Sequence, residues 1–545
     1  MPQTVEADTF KWLFPTTDAL PVEHGLAAPI HQRRYLVGGR LKTWGGKSRT
    51  ALSPVCTRLA DGSVQQVPLG SYPVMGEAES DEVLDAAVAA YDSGRGEWPT
   101  MTVAGRIARM QAFLQGMAER RDTLVKLIMW EIGKSLPDSR KEVDRTIEYV
   151  RATIDALKDL DNSSSRFTIV EGTIGQIRRT PLGVALCMGP YNYPLNETFC
   201  TLMPALLMGN TVVLKPPQYG TLVFEPLLEV FGDAFPPGVV NTIYAPGEIV
   251  VPHMLASGKV NVLALIGSSR VADLLKKQHP KSHRLRAVLG LDAKNAAIVL
   301  PDADMGLAVK ECVLGALSFN GQRCTALKML IVHRSIVDDF LHRLAAEVSA
   351  LKVGMPWEAG VQITPLPGPH RTAYMTDAIE DAKARGARVV NDGGGTFCGT
   401  LFYPAIVYPV REGMQLYREE QFGPIVPVMA FDDIKEALDY VVTSDHGQQV
   451  SIFGSDPDQI GALVDPLVNQ VCRVNINCQC QRGPDVFPFA GRKDSAEGTL
   501  SVTDALRAFS IRSMVAAKQT EQSKELLNRI VRDHKSKFVN TGFIL

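Results

Sequence analysis

From Val184 onward the chain alternates between short apolar runs of strand length and longer stretches with helical spacing. No other feature restricts the fold as much. Val184-Ala185-Leu186-Cys187-Met188 reads as a strand, residues 196–208 as a helix, and Thr211-Val212-Val213-Leu214-Lys215 as a strand. A helix near residues 223–231 precedes a strand at 239–243, and residues 260–266 form another. Strands apolar on both faces belong to parallel sheets covered by helices on each side. A second series begins at Asn295-Ala296-Ala297-Ile298-Val299-Leu300 and continues past Phe431. With 545 residues, too many for one small core, the expectation is two α/β domains, each a doubly wound parallel sheet, with a cleft between them.

The flanking segments differ in character. Residues 1–33, with Pro15, Pro21 and Pro29, read as an extension along the body. Apolar residues recur at helical spacing over 81–91, 104–134 and 138–160. The last of these carries Val143, Ile147 and Val150 on one face, with Arg145 off that stripe. Residues 167–170 and 174–179 alternate like a β-hairpin around a Glu-Gly turn. A hairpin with no core of its own seeks a sheet elsewhere, which points to a homodimer or homotetramer. In the tail, Leu526, Leu527, Ile530 and Val531 predict a helix docked on the body or on a neighbouring subunit.

Composition excludes several functions. A net charge of −2 gives no reason to expect nucleic acid or an anionic membrane as partner. The most apolar stretch, residues 202–214, is interrupted by Pro204, Gly209 and Asn210 and is too short to span a bilayer. Nine cysteines in so long a chain are no disulfide framework. Neither Cys478 and Cys480 nor the ten histidines show metal-ligand spacing, so no metal is expected. The start lacks the regions of a signal peptide, and a cytoplasmic protein is the expectation.

The chemistry concentrates in a few segments. In Phe319-Asn320-Gly321-Gln322-Arg323-Cys324-Thr325 a cysteine follows a glycine turn and an arginine. A thiolate beside a cation and backbone N–H groups forms more readily and stays nucleophilic. Cys480-Gln481-Arg482-Gly483-Pro484-Asp485 adds a second arginine. Two cations converging on one sulfur suggest an anionic substrate. Most free cysteines are simply core residues, and Cys312, in an apolar helix, is expected to be one.

Three strand ends carry polar groups. Asn192, in the loop after Met188, has an amide suited to a developing oxyanion. Lys215, followed by Pro216-Pro217-Gln218, suits ribose or phosphate oxygens. Gly267-Ser268 opens a helix whose N–H groups face any pyrophosphate. Glu420-Gln421-Phe422-Gly423-Pro424 couples a carboxylate to an aromatic ring and a tight turn. The Gly-x-Gly-x-x-Gly dinucleotide pattern is absent.

Taken in order and spacing from about Arg33 to Ala517, these motifs resemble the aldehyde dehydrogenase superfamily. Asn-Tyr-Pro, Gly-Gln-Arg-Cys-Thr and Gln-Arg-Gly-Pro-Asp-x-Phe-Pro-Phe resemble its non-phosphorylating, NADP-dependent glyceraldehyde-3-phosphate dehydrogenases. The resemblance implies that Cys324 attacks the aldehyde while Asn192 and the Cys324 N–H hold the oxyanion. It implies a thioester that water then cleaves. Lys215, Gln218, Gly267, Ser268, Glu420 and Phe422 are implied cofactor contacts. Arg145, Tyr193, Arg323 and Arg482 match positions that hold the substrate phosphate. Gln218 stands where NAD-preferring relatives carry a glutamate, so NADP is favoured over NAD.

The implied division assigns 34–162 and 183–288 to cofactor binding and 289–498 to catalysis. Residues 163–182 and 499–518 form an oligomerisation β segment, with 1–33 and 519–545 as terminal extensions. One departure stands out. The family's Glu-Leu-Gly-Gly-Lys segment, whose glutamate activates water, aligns with Gly290-Leu291-Asp292-Ala293-Lys294 and puts glycine at the base position. Asp292 lies two residues along a strand, a displacement of roughly 7 Å. The competing expectations are a dehydrogenase of an unphosphorylated semialdehyde, an acyl-transferring dehydrogenase, and a non-catalytic cofactor-binding scaffold.

Overall fold

The computed structural model describes residues 10–368 and 370–545. The first apolar series forms a six-stranded sheet in the order Val240–Thr242, Thr211–Lys215, Val184–Met188, Val262–Ile266, Arg286–Gly290, Ala496–Glu497. The first five strands pair in parallel, and only Ala496–Glu497 runs antiparallel. The second series forms a seven-stranded sheet. Its order is Arg388–Val389, Ala405–Tyr408, Ile425–Phe431, Met329–His333, Ala296–Val299, Gln449–Phe453, Arg473–Ile476, with one antiparallel edge strand at Arg388–Val389. Every residue of Val184–Met188, Ala296–Val299 and Gln449–Phe453 is buried, as strands covered on both faces must be. This is the expected two-sheet α/β fold. Among the described residues no helix is long and apolar enough to cross a membrane.

The hairpin Phe167–Val170 and Thr173–Pro181 is completed by Ser510–Lys518, which pairs antiparallel along the whole length of its second strand. Ile169, Val170, Ile511 and Met514 are exposed on this small sheet.

Local details depart from the apolar spacing. Residues 104–134 make two helices, Val103–Glu119 and Arg121–Ile132, meeting at Arg120 (φ −99°, ψ 7°). The polar run Glu119-Arg120-Arg121-Asp122 has no apolar anchor, so the chain turns there and the second helix buries nearly all of its last nine residues. The stretch near 223–231 is a 3-10 turn, Leu222–Leu227, leading into the helix Leu228–Ala234.

The tail helix is present, and of its two expected docking places the body of this chain is not the one it uses. The helix Glu521–Arg532 forms, but no residue of it is buried, and Leu526 is 57% exposed. Docking comes from the segment after it. The Asn540 carbonyl accepts from Gln176 Nε2 (2.6 Å) and Arg178 Nη2 (3.0 Å), and the Ile544 N–H donates to Asn162 Oδ1 (2.9 Å). Backbone carbonyls facing buried donors fasten this tail more firmly than its amphipathic helix does.

Candidate active site

A cavity of about 420 Å³ lies where the C-terminal ends of Val184–Met188, Val262–Ile266 and Arg286–Gly290 face the loops that precede Met329–His333 and Ile425–Phe431. Ligands collect at such strand ends because the loops there diverge. Asn192, Glu197, Gly267, Gly290, Cys324 and Glu420 all contribute to its wall.

Cys324 is delivered by an unusual turn. Phe319, Asn320 and Gly321 have successive φ values of 50°, 55° and 69°, a left-handed run that costs energy at non-glycine residues. Asn320 offsets that cost: its amide donates to the Thr364 carbonyl (2.9 Å) and accepts from the Thr364 N–H (2.9 Å). At Gly321 a Cβ would meet the carbonyl oxygens of Gly423 at 2.6 Å and Ala316 at 2.8 Å, so only glycine fits. The turn ends the helix Met305–Leu317 and leaves Cys324 half-buried at the cavity.

The expected easy thiolate is corrected. Burial pushes the Cys324 thiol up to about 11, with the Glu197 carboxylate adding to the rise and Arg482 opposing it. Arg323 gives its Nη2 to the carbonyls of Gly315 (2.8 Å) and Leu314 (3.3 Å), capping the preceding helix rather than facing the sulfur. Asn192 is buried in the cavity wall; its Nδ2 donates to the Gln322 carbonyl (2.8 Å), and its own carbonyl accepts from Lys134 Nζ (2.8 Å). Lys134 in turn forms a fully buried ion pair with Glu142 and lies 3.5 Å over the Tyr193 ring. Glu142 also accepts the N–H groups of Leu195 (3.1 Å) and Asn196 (3.3 Å), so one carboxylate orients the helix after Asn192.

None of Arg145, Tyr193, Arg323 and Arg482 lines the cavity; Arg145 and Arg323 both act on Tyr193, and Arg482 acts on Arg145. Burial raises the Tyr193 hydroxyl well above its usual range, and the charges of Arg323 and Arg145 both oppose that rise. Two of the arginines already hold carboxylates. Arg145 grips Asp485, and Arg482 is bound to Glu197 and, at 3.2 Å, to Asp485. Burial raises the Asp485 carboxyl, but the Arg145 hydrogen bond and the charges of both arginines outweigh it and hold the group below the ordinary carboxylate range.

On the other side, Glu420 pairs with Lys328 at 3.1 Å, and Lys328 lies 4.3 Å over the Phe422 ring. Ser268 caps the helix Ser269–Lys276. The N–H and hydroxyl of Ser269 are taken by Asp292 Oδ2, both at 2.8 Å. Lys215 and Gln218 line a separate groove of about 120 Å³ together with Arg49 and Glu248. Burial lowers the Lys215 ammonium to about 8, with Glu248 opposing.

Several lining residues went unmarked in the sequence, among them Glu197, Arg371, Tyr374, Arg49 and Glu248. Glu197 had a signal, an acidic residue in the first turn of the helix that follows Asn192. Arg371 lies 4.2 Å from the Tyr191 ring centre, and its Nε is buried without a hydrogen-bond partner among the described residues. No sequence signal marks Arg371, Tyr374 or Arg49.

Comparison with known proteins gives the family and the fold. Residues 61–515 match the aldehyde dehydrogenase family. The chain is 32% identical to an NADP-dependent glyceraldehyde-3-phosphate dehydrogenase of Streptococcus equinus, over 83% of this chain and 92% of that one. It is 29% identical to malonate-semialdehyde dehydrogenase 1 of Bacillus thuringiensis, over 81% and 91%. Its fold superposes on the crystal structure of NADP-dependent glyceraldehyde-3-phosphate dehydrogenase from Bacillus halodurans, complexed with NADP. The TM-score is 0.81 at 29% identity, covering 90% of this chain and all of that one. With a cysteine and an amide at one strand-end cavity and the family's pattern across most of its length, this chain belongs to the aldehyde dehydrogenase family.

Proposed function

We propose that the chain oxidises a small phosphorylated aldehyde of the glyceraldehyde 3-phosphate type to its acid, using NADP and the Cys324 sulfur. The observation that carries the reading is a single cavity lined by Cys324, Asn192, Gly267, Ser268, Glu420 and Phe422 together. The relatives' NADP dependence supports the cofactor. So do a lysine ammonium and the neutral Gln218 sharing one groove, beside Arg49. The residues present fit the group. Lys215, Gln218 and Arg49 would hold the adenosine end and Glu420 the nicotinamide ribose. Bound NADP supplies the acceptor for hydride.

The chain's own residues do the rest. The Cys324 thiolate adds to the aldehyde carbon, and Asn192 Nδ2 donates to the oxygen as negative charge develops there. Loss of hydride from that adduct leaves a thioester on Cys324, which water cleaves to the acid. Arg145 and Arg482, which share the Asp485 carboxylate, support an anionic substrate, since guanidinium forks suit phosphate oxygens. The exposed face of the small antiparallel sheet supports assembly into a dimer or tetramer.

A second reading, an unphosphorylated semialdehyde substrate, is favoured by one observation: Arg145 and Arg482 already hold Asp485 and Glu197. A turnover screen of glyceraldehyde 3-phosphate, glyceraldehyde and malonate semialdehyde, each with NADP and NAD, separates the two. The proposal expects the highest kcat/KM for glyceraldehyde 3-phosphate with NADP. A preference for either unphosphorylated aldehyde overturns it.

A further inference from the structure

Gly290 offers no side chain to activate water. A Cβ there would sit in ordinary contact with Ile266 Cγ1 at 3.5 Å and would need the end of the Leu500 side chain, 3.2 Å away, to give slightly. Three other carboxylates line the cavity: Glu197, Asp292 and Glu420. Asp292 is committed to the Ser269 N–H and hydroxyl. Glu420 is drawn onto Lys328, on the Phe422 side. Glu197 is held on one side only. Arg482 Nη1 donates to its Oε2, while Oε1 receives no hydrogen bond among the described residues. Its helix starts four residues after Asn192, so the carboxylate enters the same wall as the oxyanion donor.

We propose that Glu197 is the general base that deacylates the Cys324 thioester, taking over from a new position the role left vacant at Gly290. This rests on the reading that Cys324 carries the acyl group and that water receives it. Oε1 accepts a proton from water as the water oxygen bonds to the thioester carbonyl carbon. The tetrahedral adduct collapses, the carbon–sulfur bond breaks, and its electron pair leaves with Cys324 as thiolate. The acid departs, and Glu197 releases the proton to solvent. Arg482 positions the carboxylate from behind. Of the charges acting on the Cys324 thiol, Glu197 is the strongest, and it raises the thiol. Removing that charge therefore favours thiolate formation while removing the base, so the two half-reactions move in opposite directions.

The test uses p-nitrophenyl acetate on the full chain, because this ester acylates a thiol with neither aldehyde nor NADP. A wrong aldehyde assignment thus leaves the result intact. Cys324→Ser gives the background. Glu197→Gln is expected to keep a nitrophenolate burst at least as fast as the unsubstituted chain. Its linear phase should fall about 10²–10⁴-fold, with acetyl-Cys324 visible by intact mass. Hydroxylamine, a nucleophile that needs no base, should restore release. Glu197→Asp, which shortens the carboxylate but keeps its charge near Arg482, should show a smaller fall and serves if the glutamine variant folds poorly. An unchanged linear phase in Glu197→Gln overturns the proposal. So does a burst that falls in step with the linear phase, failure of hydroxylamine to rescue, or a slow linear phase produced by Asp292→Asn instead.

Discussion

Arg145 holds both oxygens of Asp485, through Nε at 3.0 Å and Nη2 at 2.7 Å. This fork occupies donors that a substrate phosphate would otherwise engage. Asp485→Asn leaves the arginines in place and removes the competing charge. The KM for glyceraldehyde 3-phosphate should fall about three- to tenfold, a gain of up to ~1.4 kcal/mol, with the KM for glyceraldehyde unchanged. Steady-state kinetics on both substrates check it. Equal shifts in the two would make the pair a purely structural clasp.

Reactivity of the cysteine should follow its raised titration. Burial and the Glu197 charge push the Cys324 thiol up to about 11. The neutral thiol dominates below that value, and only the thiolate reacts. Iodoacetamide labelling of Cys324 should rise about tenfold per pH unit from 7 to 10 and level off near 11. A plateau reached by pH 8 would show that neighbouring cations prevail over desolvation.

The buried pair beneath Asn192 carries a stability prediction. Lys134 and Glu142 both have side chains at 0% exposure. Burial lowers the Lys134 ammonium, and Glu142 is the largest influence opposing it. Lys134→Met strands a buried carboxylate and should cost about 3–5 kcal/mol. Adding Glu142→Gln should recover part of that loss. Thermal unfolding of the single and double variants measures both. A single variant as stable as the parent would contradict a charged pair.

Cofactor choice is testable at the groove. Gln218→Glu adds a carboxylate beside Lys215, where Glu248 already stands. Like-charge repulsion at such a partly solvated position should weaken NADP about five- to tenfold and leave NAD nearly unchanged. Calorimetric titration of the two cofactors reads this directly. Equal weakening of both would detach Gln218 from the 2′-phosphate.

Strand positions were legible where burial on both faces left an uninterrupted apolar run. Val184–Met188 and Thr211–Lys215 begin and end in the structure where the run does in the chain. Cys324 and Asn192 were legible because a turn sequence and a strand end surround each. The ionic wiring was not. Arg145 and Asp485 are 340 residues apart, and Glu197 and Arg482 are 285 apart. No local pattern reveals which carboxylate an arginine will meet once segments so far apart in the chain fold together. Arg323 misled for a related reason. Adjacent to the cysteine in sequence, it is drawn off to the carbonyls that end the preceding helix.

The contact between Gly321 and the Gly423 carbonyl has a consequence for how such a site can change. One loop carries the sulfur and the other carries Glu420 and Phe422, and they rest on each other main chain to main chain, with less room than a methyl group needs. Substitutions in either loop can alter charge, polarity or hydration around the reacting atoms. A side chain at Gly321 would have to push the two loops apart. That one glycine is the gauge of the gap, so variation elsewhere retunes what enters it while Gly321 keeps its width.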